Sequence, residues 1–179
     1  MVPALDGGGG VSAVARFVRQ IATDLGRHEV RLVSLSMSSR DPESMLLRRP
    51  ITWAYGARVR IGDWEGHRFA HVGAIAGELE FQHYRRRRVL TDLVAECDLF
   101  QIVCGTPAWA NTVFGLGKPV SLQVATRARA ERRMRDARPR GPLGWWRKAM
   151  TEVTDHLDDR ALRRVDAIQV ENPWMLDYA

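Results

Sequence analysis

Four consecutive glycines near the start of the chain, in Asp6-Gly7-Gly8-Gly9-Gly10, run straight into an amphipathic stretch over residues 11–25. A fold keeps such a run only where the backbone must bend tightly or approach something closely, because glycine loses more conformational freedom on ordering than any other residue. The stretch that follows is a helix by pattern. Val11, Val14, Ala15, Val18, Ile21, Ala22 and Leu25 recur at three and four positions, with Arg16, Arg19, Gln20 and Asp24 between them. Ser12 is placed to cap its first turn. A glycine loop feeding a helix N-terminus presents free N–H groups and the positive end of the helix dipole, which favours phosphate. Taken alone, a glycine run reads equally well as a flexible tail.

The next segment favours the loop. Gly26 is a helix-stop signal, and Glu29-Val30-Arg31-Leu32-Val33-Ser34-Leu35-Ser36 reads as a short strand ended by serines and Asp41-Pro42. Helix, glycine turn and buried strand make half of a Rossmann-type unit, which also needs a strand before the glycines. Only Met1-Val2-Pro3-Ala4-Leu5 is there to supply it, and it is short and carries a proline. The first strand of a doubly wound sheet lies in its middle, so the expectation is a chain missing part of its natural N-terminus.

A length of 179 residues suits one domain with a sizeable core, or a domain plus part of another. The 45% apolar and 27% charged content is that of an ordinary globular chain, which excludes disordered and fibrous classes. No apolar run is long enough for a bilayer and no signal-peptide pattern opens the chain. Cys97 and Cys104 flank a predicted strand and read as two core thiols in a reducing cytosol rather than a disulfide, so a cytoplasmic location is expected. No Cys and His cluster has zinc spacing. The net charge of +6 and the pI near 10.1 point to an anionic partner. Composition does not separate nucleic acid, anionic lipid and nucleotide.

Further along, His67-Arg68-Phe69-Ala70-His71-Val72-Gly73 is a strand, with weaker candidates at residues 51–55 and 57–61. Residues 78–84 form a connection, and residues 89–96 a short helix. A buried strand at 99–104 precedes a short helix over 108–116, and the next strand covers 119–125. A basic stretch over 127–148 leads to a helix over about 150–164, and the last strand is 166–170. Strands alternating with helices predict an α/β fold with a mostly parallel sheet and helices on both faces. In such sheets ligands bind beyond the carboxyl ends of the strands.

The glycine loop at 7–10 opening a helix, then Gly-Arg-His-Glu-Val at 26–30, resembles the N-terminal, Rossmann-like domain of the GT-B glycosyltransferases, in particular the retaining enzymes of family 4. Asp98-Leu99-Phe100-Gln101-Ile102-Val103 followed by Gly117-Lys118-Pro119-Val120 is similar to the family's pair of central strands. Asp166-Ala167-Ile168-Gln169-Val170-Glu171-Asn172 is similar to the strand near the end of that domain. The likeness spans nearly the whole chain and lies in order and spacing rather than in one motif. It implies a single acceptor-side domain over residues 1–179, truncated at its first strand, with the C-terminal donor domain absent. It also implies transfer of a sugar, hexosyl in type, from a nucleotide-sugar with retention, without a metal or other cofactor. The fragment alone would be inactive. Many family members carry a histidine in a loop after a central strand. Here those loops read Cys104-Gly105-Thr106 and Ala125-Thr126-Arg127, so no catalytic residue is assigned.

On that resemblance Gly8, Gly9 and Gly10 are the residues to contact a donor phosphate. Glu78, Glu80, Thr106, Arg127, Glu171 and Asn172 sit at strand ends where an acceptor would lie. Thr106 and Arg127 read as readily as solvated loop residues, and for Glu78, Glu80, Glu171 and Asn172 that is the commoner case. His71 and His83 are read as structural. In the basic stretch, Arg140, Trp145, Trp146, Arg147 and Lys148 combine cations with adjacent tryptophans, as a membrane interface requires. Peripheral docking on the inner face of the plasma membrane, to reach a lipid-linked acceptor, is expected; tryptophans packed on the domain are the alternative. A non-catalytic nucleic-acid-binding module is the competing function, but the arginines are not interleaved with aromatics in a known motif, and no nucleic-acid partner is expected. A dinucleotide-dependent oxidoreductase ranks lower, because the glycines lack the spaced Gly-x-Gly-x-x-Gly pattern.

Overall fold

The computed structural model describes residues 1–5, 9–137 and 141–177. It is an α/β protein with open, mostly parallel sheets. The chain divides into two compact units: Met1–His83 with Arg87–Glu96, and Tyr84–Arg86 with Cys97–Ala179. Each has its own sheet, where the sequence predicts one.

In the first unit β1 (Val2–Pro3), α1 (Gly10–Gln20) and β2 (Leu32–Leu35) form a βαβ crossover, with β1 and β2 parallel neighbours. The short opening segment supplies a strand of two residues. Val2 and Leu5 are buried, and the strand lies at one end of the order β1-β2-β4-β3 rather than in the middle. An end strand tolerates Pro3, whose missing N–H breaks no ladder. β4 (His67–Val72) runs parallel to β2, and β3 (Val59–Trp64) antiparallel to β4. The β3–β4 hairpin turns on Glu65 and Gly66, both left-handed at φ 54° and 79°, which matches the twist of the flanking strands. Arg16 on α1 pairs with Glu65 at this turn and stacks over Trp64 at 5.8 Å.

Two local readings change. Residues 51–55 are not a strand; Pro50–Trp53 is a 3-10 turn started by the proline and tied by Thr52, whose hydroxyl donates to the Arg49 carbonyl (2.7 Å). The 57–61 candidate becomes β3 and runs on to Trp64. α1 continues as a π-helical turn, Ile21–Leu25. Beyond it the left-handed residue is Arg27 (φ 51°), not Gly26. Gly26 is required instead by crowding, since a Cβ there would meet the His28 ring and the Ala22 carbonyl. The connection at 78–84 contains a helical turn, α2 (Glu80–His83), and α3 (Arg88–Leu93) follows.

The second unit carries β5 (Phe100–Cys104), β6 (Val120–Val124) and β7 (Ala167–Val170), all parallel, in that order. The segment after β5 is a 3-10 helix, Pro107–Thr112, rather than an α-helix. α4 (Ala128–Asp136) and α5 (Gly141–Leu162) connect β6 to β7. α5 begins well before the expected residue 150, so the adjacent tryptophans lie on it. Its buried side consists of Thr151, Thr154, Asp155, Asp158 and Ala161. Ile102, Leu122, Val124, Ala108, Ala110 and Val113 fill the core, and Tyr84 meets Trp109 edge-on at 4.9 Å. Cys104 is buried and Cys97 only partly so; both thiols are free.

Candidate functional site at the carboxyl edge of the first sheet

β1, β2 and β4 are parallel, so the turns that leave them lie at one edge of the sheet. After β1 comes the glycine turn. Asp6, Gly7 and Gly8 lie outside the described residues, so the phosphate role read for Gly8 does too. Gly9 stands at φ 90°, ψ −170°, a conformation closed to other residues, and is the N-cap of α1. Ser12 does not cap the helix; its buried hydroxyl donates to the Leu5 carbonyl (3.1 Å). Among the described residues no side chain caps α1 and no acid occupies its first turn, and a Cβ on Gly9 or Gly10 would meet nothing within 4 Å. The first turn of a helix carries N–H groups without a partner inside the helix and the positive end of its dipole.

Below the edge lies a buried polar network. The Ser34 hydroxyl accepts from the Leu5 amide (3.2 Å) and contacts His71 Nδ1 (3.1 Å); His71 Nε2 meets Asp41 Oδ2 at 2.6 Å. Asp41 also accepts from the Glu43 amide (2.8 Å), and Ser44 bonds Ser36 (3.1 Å) and the Ala74 amide (2.7 Å). Burial alone would raise the Asp41 pKa. Hydrogen bonds from His71, Ser36 and the Glu43 amide outweigh it and hold the carboxyl at about 2. Ser34, His71 and Asp41 are the residue types of a nucleophilic triad. Ser34 is fully buried with its oxygen already taken by an amide, so the set is a strut between strands.

His83 sits deeper, with Nδ1 on the Ser36 carbonyl (2.7 Å) and Nε2 on the Gly77 carbonyl (2.8 Å). Its ring links the turns after β2 and β4. Arg87 is also buried; its Nη1 donates weakly to the His83 carbonyl (3.4 Å), and burial lowers its pKa to about 10 against the pull of Asp41. Glu78 accepts from the amides of Leu47 (2.9 Å) and Arg48 (3.2 Å) and pairs with the Arg48 side chain at 3.6 Å. Its carboxylate is spent on shaping the turn at 46–49. Glu80 is half-buried at the start of α2.

The remaining sequence-predicted residues lie in the second unit and are mostly engaged within it. Thr106 is buried before the 3-10 helix. Arg127 Nη2 donates to Asp155 (2.9 Å) and Asp159 (2.5 Å), and Asn172 Nδ2 to the Ala125 carbonyl (2.7 Å). Glu171 is exposed. The organising residue here, Asp158, escaped the sequence reading. It is fully buried, and its two oxygens accept from the Ala108 amide (2.7 Å) and the Ala128 amide (2.9 Å), tying the starts of the two helices that follow β5 and β6. Burial pushes its pKa up to about 7 in spite of those donors. The cue was present: Thr151, Thr154, Asp155, Asp158 and Ala161 recur at three and four positions, but a polar stripe ordinarily signals solvent.

Arg140 lies outside the described residues. Trp145, Trp146, Arg147 and Lys148 are exposed on the first ten residues of α5, and Lys148 stands 5.7 Å from the Trp145 ring centre. Among the described residues no group of His, Cys, Asp and Glu could hold a metal, and no helix is long and apolar enough to cross a membrane. Comparison of the chain with known protein families, curated proteins and solved structures finds no match.

Proposed function

We propose that this chain is the acceptor-side, Rossmann-like half of a glycosyltransferase of the GT-B class, which moves a sugar from a nucleotide-sugar to an acceptor. One observation carries the reading. After the first strand of a βαβ unit, α1 begins on Gly9 at φ 90°, with no capping side chain among the described residues and no acid in its first turn. That arrangement is suited to the negative charge that builds on a departing diphosphate, held by preorganised donors rather than by a metal. The donor would be gripped from the other side by a second, C-terminal domain.

Gly10→Val tests this in the intact protein. Position 10 has ordinary helical backbone and free space around it, so the branched side chain fits the fold at the turn proposed to meet the phosphate. With a panel of nucleotide-sugars and release of free nucleoside diphosphate as readout, the substitution should lower kcat/KM by about tenfold or more, the loss of roughly one good charge-assisted contact. Absence of turnover with every donor, or unchanged kinetics in the variant, refutes the reading. Membrane docking through Trp145, Trp146, Arg147 and Lys148 belongs to the same proposal. It is supported by their exposure on α5.

A further inference from the structure

The turn after β2 exposes an unusual density of large apolar side chains. Leu47 is 46% exposed, Ile51 70%, Trp53 55% and Tyr55 65%. All lie on or beside the 3-10 turn Pro50–Trp53, and the Trp53 indole N–H is anchored on the Leu46 carbonyl (2.9 Å), leaving its ring outward. Scattered apolar residues on a surface need no explanation, but four within nine positions mark a contact surface. Beside them a cleft of about 220 Å³ is lined by Pro42, Ser44, Ile51, Thr52, Tyr55 and Arg58, with Gly56.

The charge around this patch is net positive, although Arg58 is paired with Glu43 and Arg48 with Glu78 and the Ser39 carbonyl. Residues 39–60 hold Arg40, Arg48, Arg49, Arg58 and Arg60 against Asp41 and Glu43. Asp41 is buried on His71, and Glu43 is paired with Arg58 at 3.2 Å. Glu78, the further acid facing the turn, is spent on the Leu47 and Arg48 amides and the Arg48 side chain. The turn therefore shows apolar and aromatic side chains rimmed by arginine. Indole and phenol rings with guanidinium groups suit the headgroup region of an anionic bilayer, where the rings take the boundary and the cations take lipid phosphate.

We propose that residues 47–55 of the first unit dock on an anionic lipid bilayer, Ile51, Trp53 and Tyr55 entering the headgroup region and Arg49 contacting lipid phosphate. Topology gives the contact a consequence. Because β3 starts at Val59 opposite Val72, the end of β4, residues 36–58 lie beyond the carboxyl ends of β2 and β4, the same edge as Gly9 and Gly10. Docking would bring the glycine turn to the membrane side of the sheet, where an acceptor carried in the bilayer is reached. That consequence rests on the glycosyltransferase reading; the docking itself does not.

The test is co-sedimentation of the full chain with vesicles of phosphatidylcholine alone and of phosphatidylcholine mixed with phosphatidylglycerol, with no donor present. Two variants remove each half of the contact: the double variant Ile51→Ser with Tyr55→Ser, and Arg49→Glu. Trp145→Ser with Trp146→Ser serves as comparison, and far-UV circular dichroism checks that each variant is folded. Wild type should prefer the anionic vesicles, lose binding at high salt, and weaken at least about tenfold in both turn variants. Equal binding to both vesicle types overturns the proposal. So does loss confined to the Trp145 and Trp146 variant, or a turn variant that changes the self-association of the chain in gel filtration and not its vesicle binding. Because no turnover is read, failure here leaves the Gly10→Val result standing, and the converse.

Discussion

Asp158 should be the most consequential single carboxylate in the second unit, and its effect should change with pH. Asp158→Ala removes the acceptor of two buried amides, at Ala108 and Ala128. Each orphaned amide costs about 1–3 kcal/mol, so the loss is about 2–6 kcal/mol. Asp158→Asn keeps one bond and turns an amide N–H against the other donor, at about 1–3 kcal/mol. The wild-type carboxyl titrates at about 7 in the fold against 3.8 as the ordinary value. The folded state thus binds the extra proton, and this group's stabilisation is complete below pH 4 and lost as pH rises through 7. Between pH 5 and pH 8 the linkage is worth about 2.5 kcal/mol. Asparagine does not titrate, so the cost of Asp158→Asn relative to wild type should be about 2.5 kcal/mol smaller at pH 8 than at pH 5. Urea unfolding of wild type and variant at both pH values measures the difference, and hydrogen exchange at the Ala108 and Ala128 amides localises it. A cost for Asp158→Asn that is the same at both pH values, or an Asp158→Ala protein with undiminished protection at those amides, would refute the reasoning.

Two further outcomes concern the first unit. Asp41 has the opposite sign: held at about 2 against 3.8, it contributes about 2.5 kcal/mol that is present above pH 4 and lost as pH falls toward 2. Acid unfolding of Asp41→Asn should lack that component, and an acid limb identical to wild type would show that the His71 contact carries no linkage. A Cβ on Gly73 would overlap the Glu43 carbonyl, backbone against backbone, so Gly73→Ala should cost about 3 kcal/mol or more. A thermal midpoint within about 2 °C of wild type would count against that packing.

Local signals carried much of the secondary structure. The 3.6-residue recurrence from Val11 to Leu25 is α1 with its π turn, and the runs ending at Leu35, Val72, Cys104, Val124 and Val170 are strands. Errors fell where a local signal was ambiguous. Pro50 opens a 3-10 turn although the residues after it have strand composition. The two residues Val2 and Pro3 are too few to be recognised as a strand without the partner β2 that completes them. Of the site, the glycine turn was legible because glycine's conformational freedom is a property of the residue itself. The engagement of Arg127, Glu78 and Asn172 by their own unit was not, because their partners are remote in sequence.

By itself, then, the amino-acid order determined the alternation of strands and helices, the parallel arrangement this implies and the turn at which α1 begins. Those follow from periodicity and backbone preference, which act over a few residues. Tertiary structure alone decided which charges are buried and satisfied, that Asp158 joins amides 50 and 30 residues away, and that Ile51, Trp53 and Tyr55 remain outside the core. Burial and hydrogen-bond satisfaction are sums over neighbours brought together only by folding, and no short window of sequence contains them.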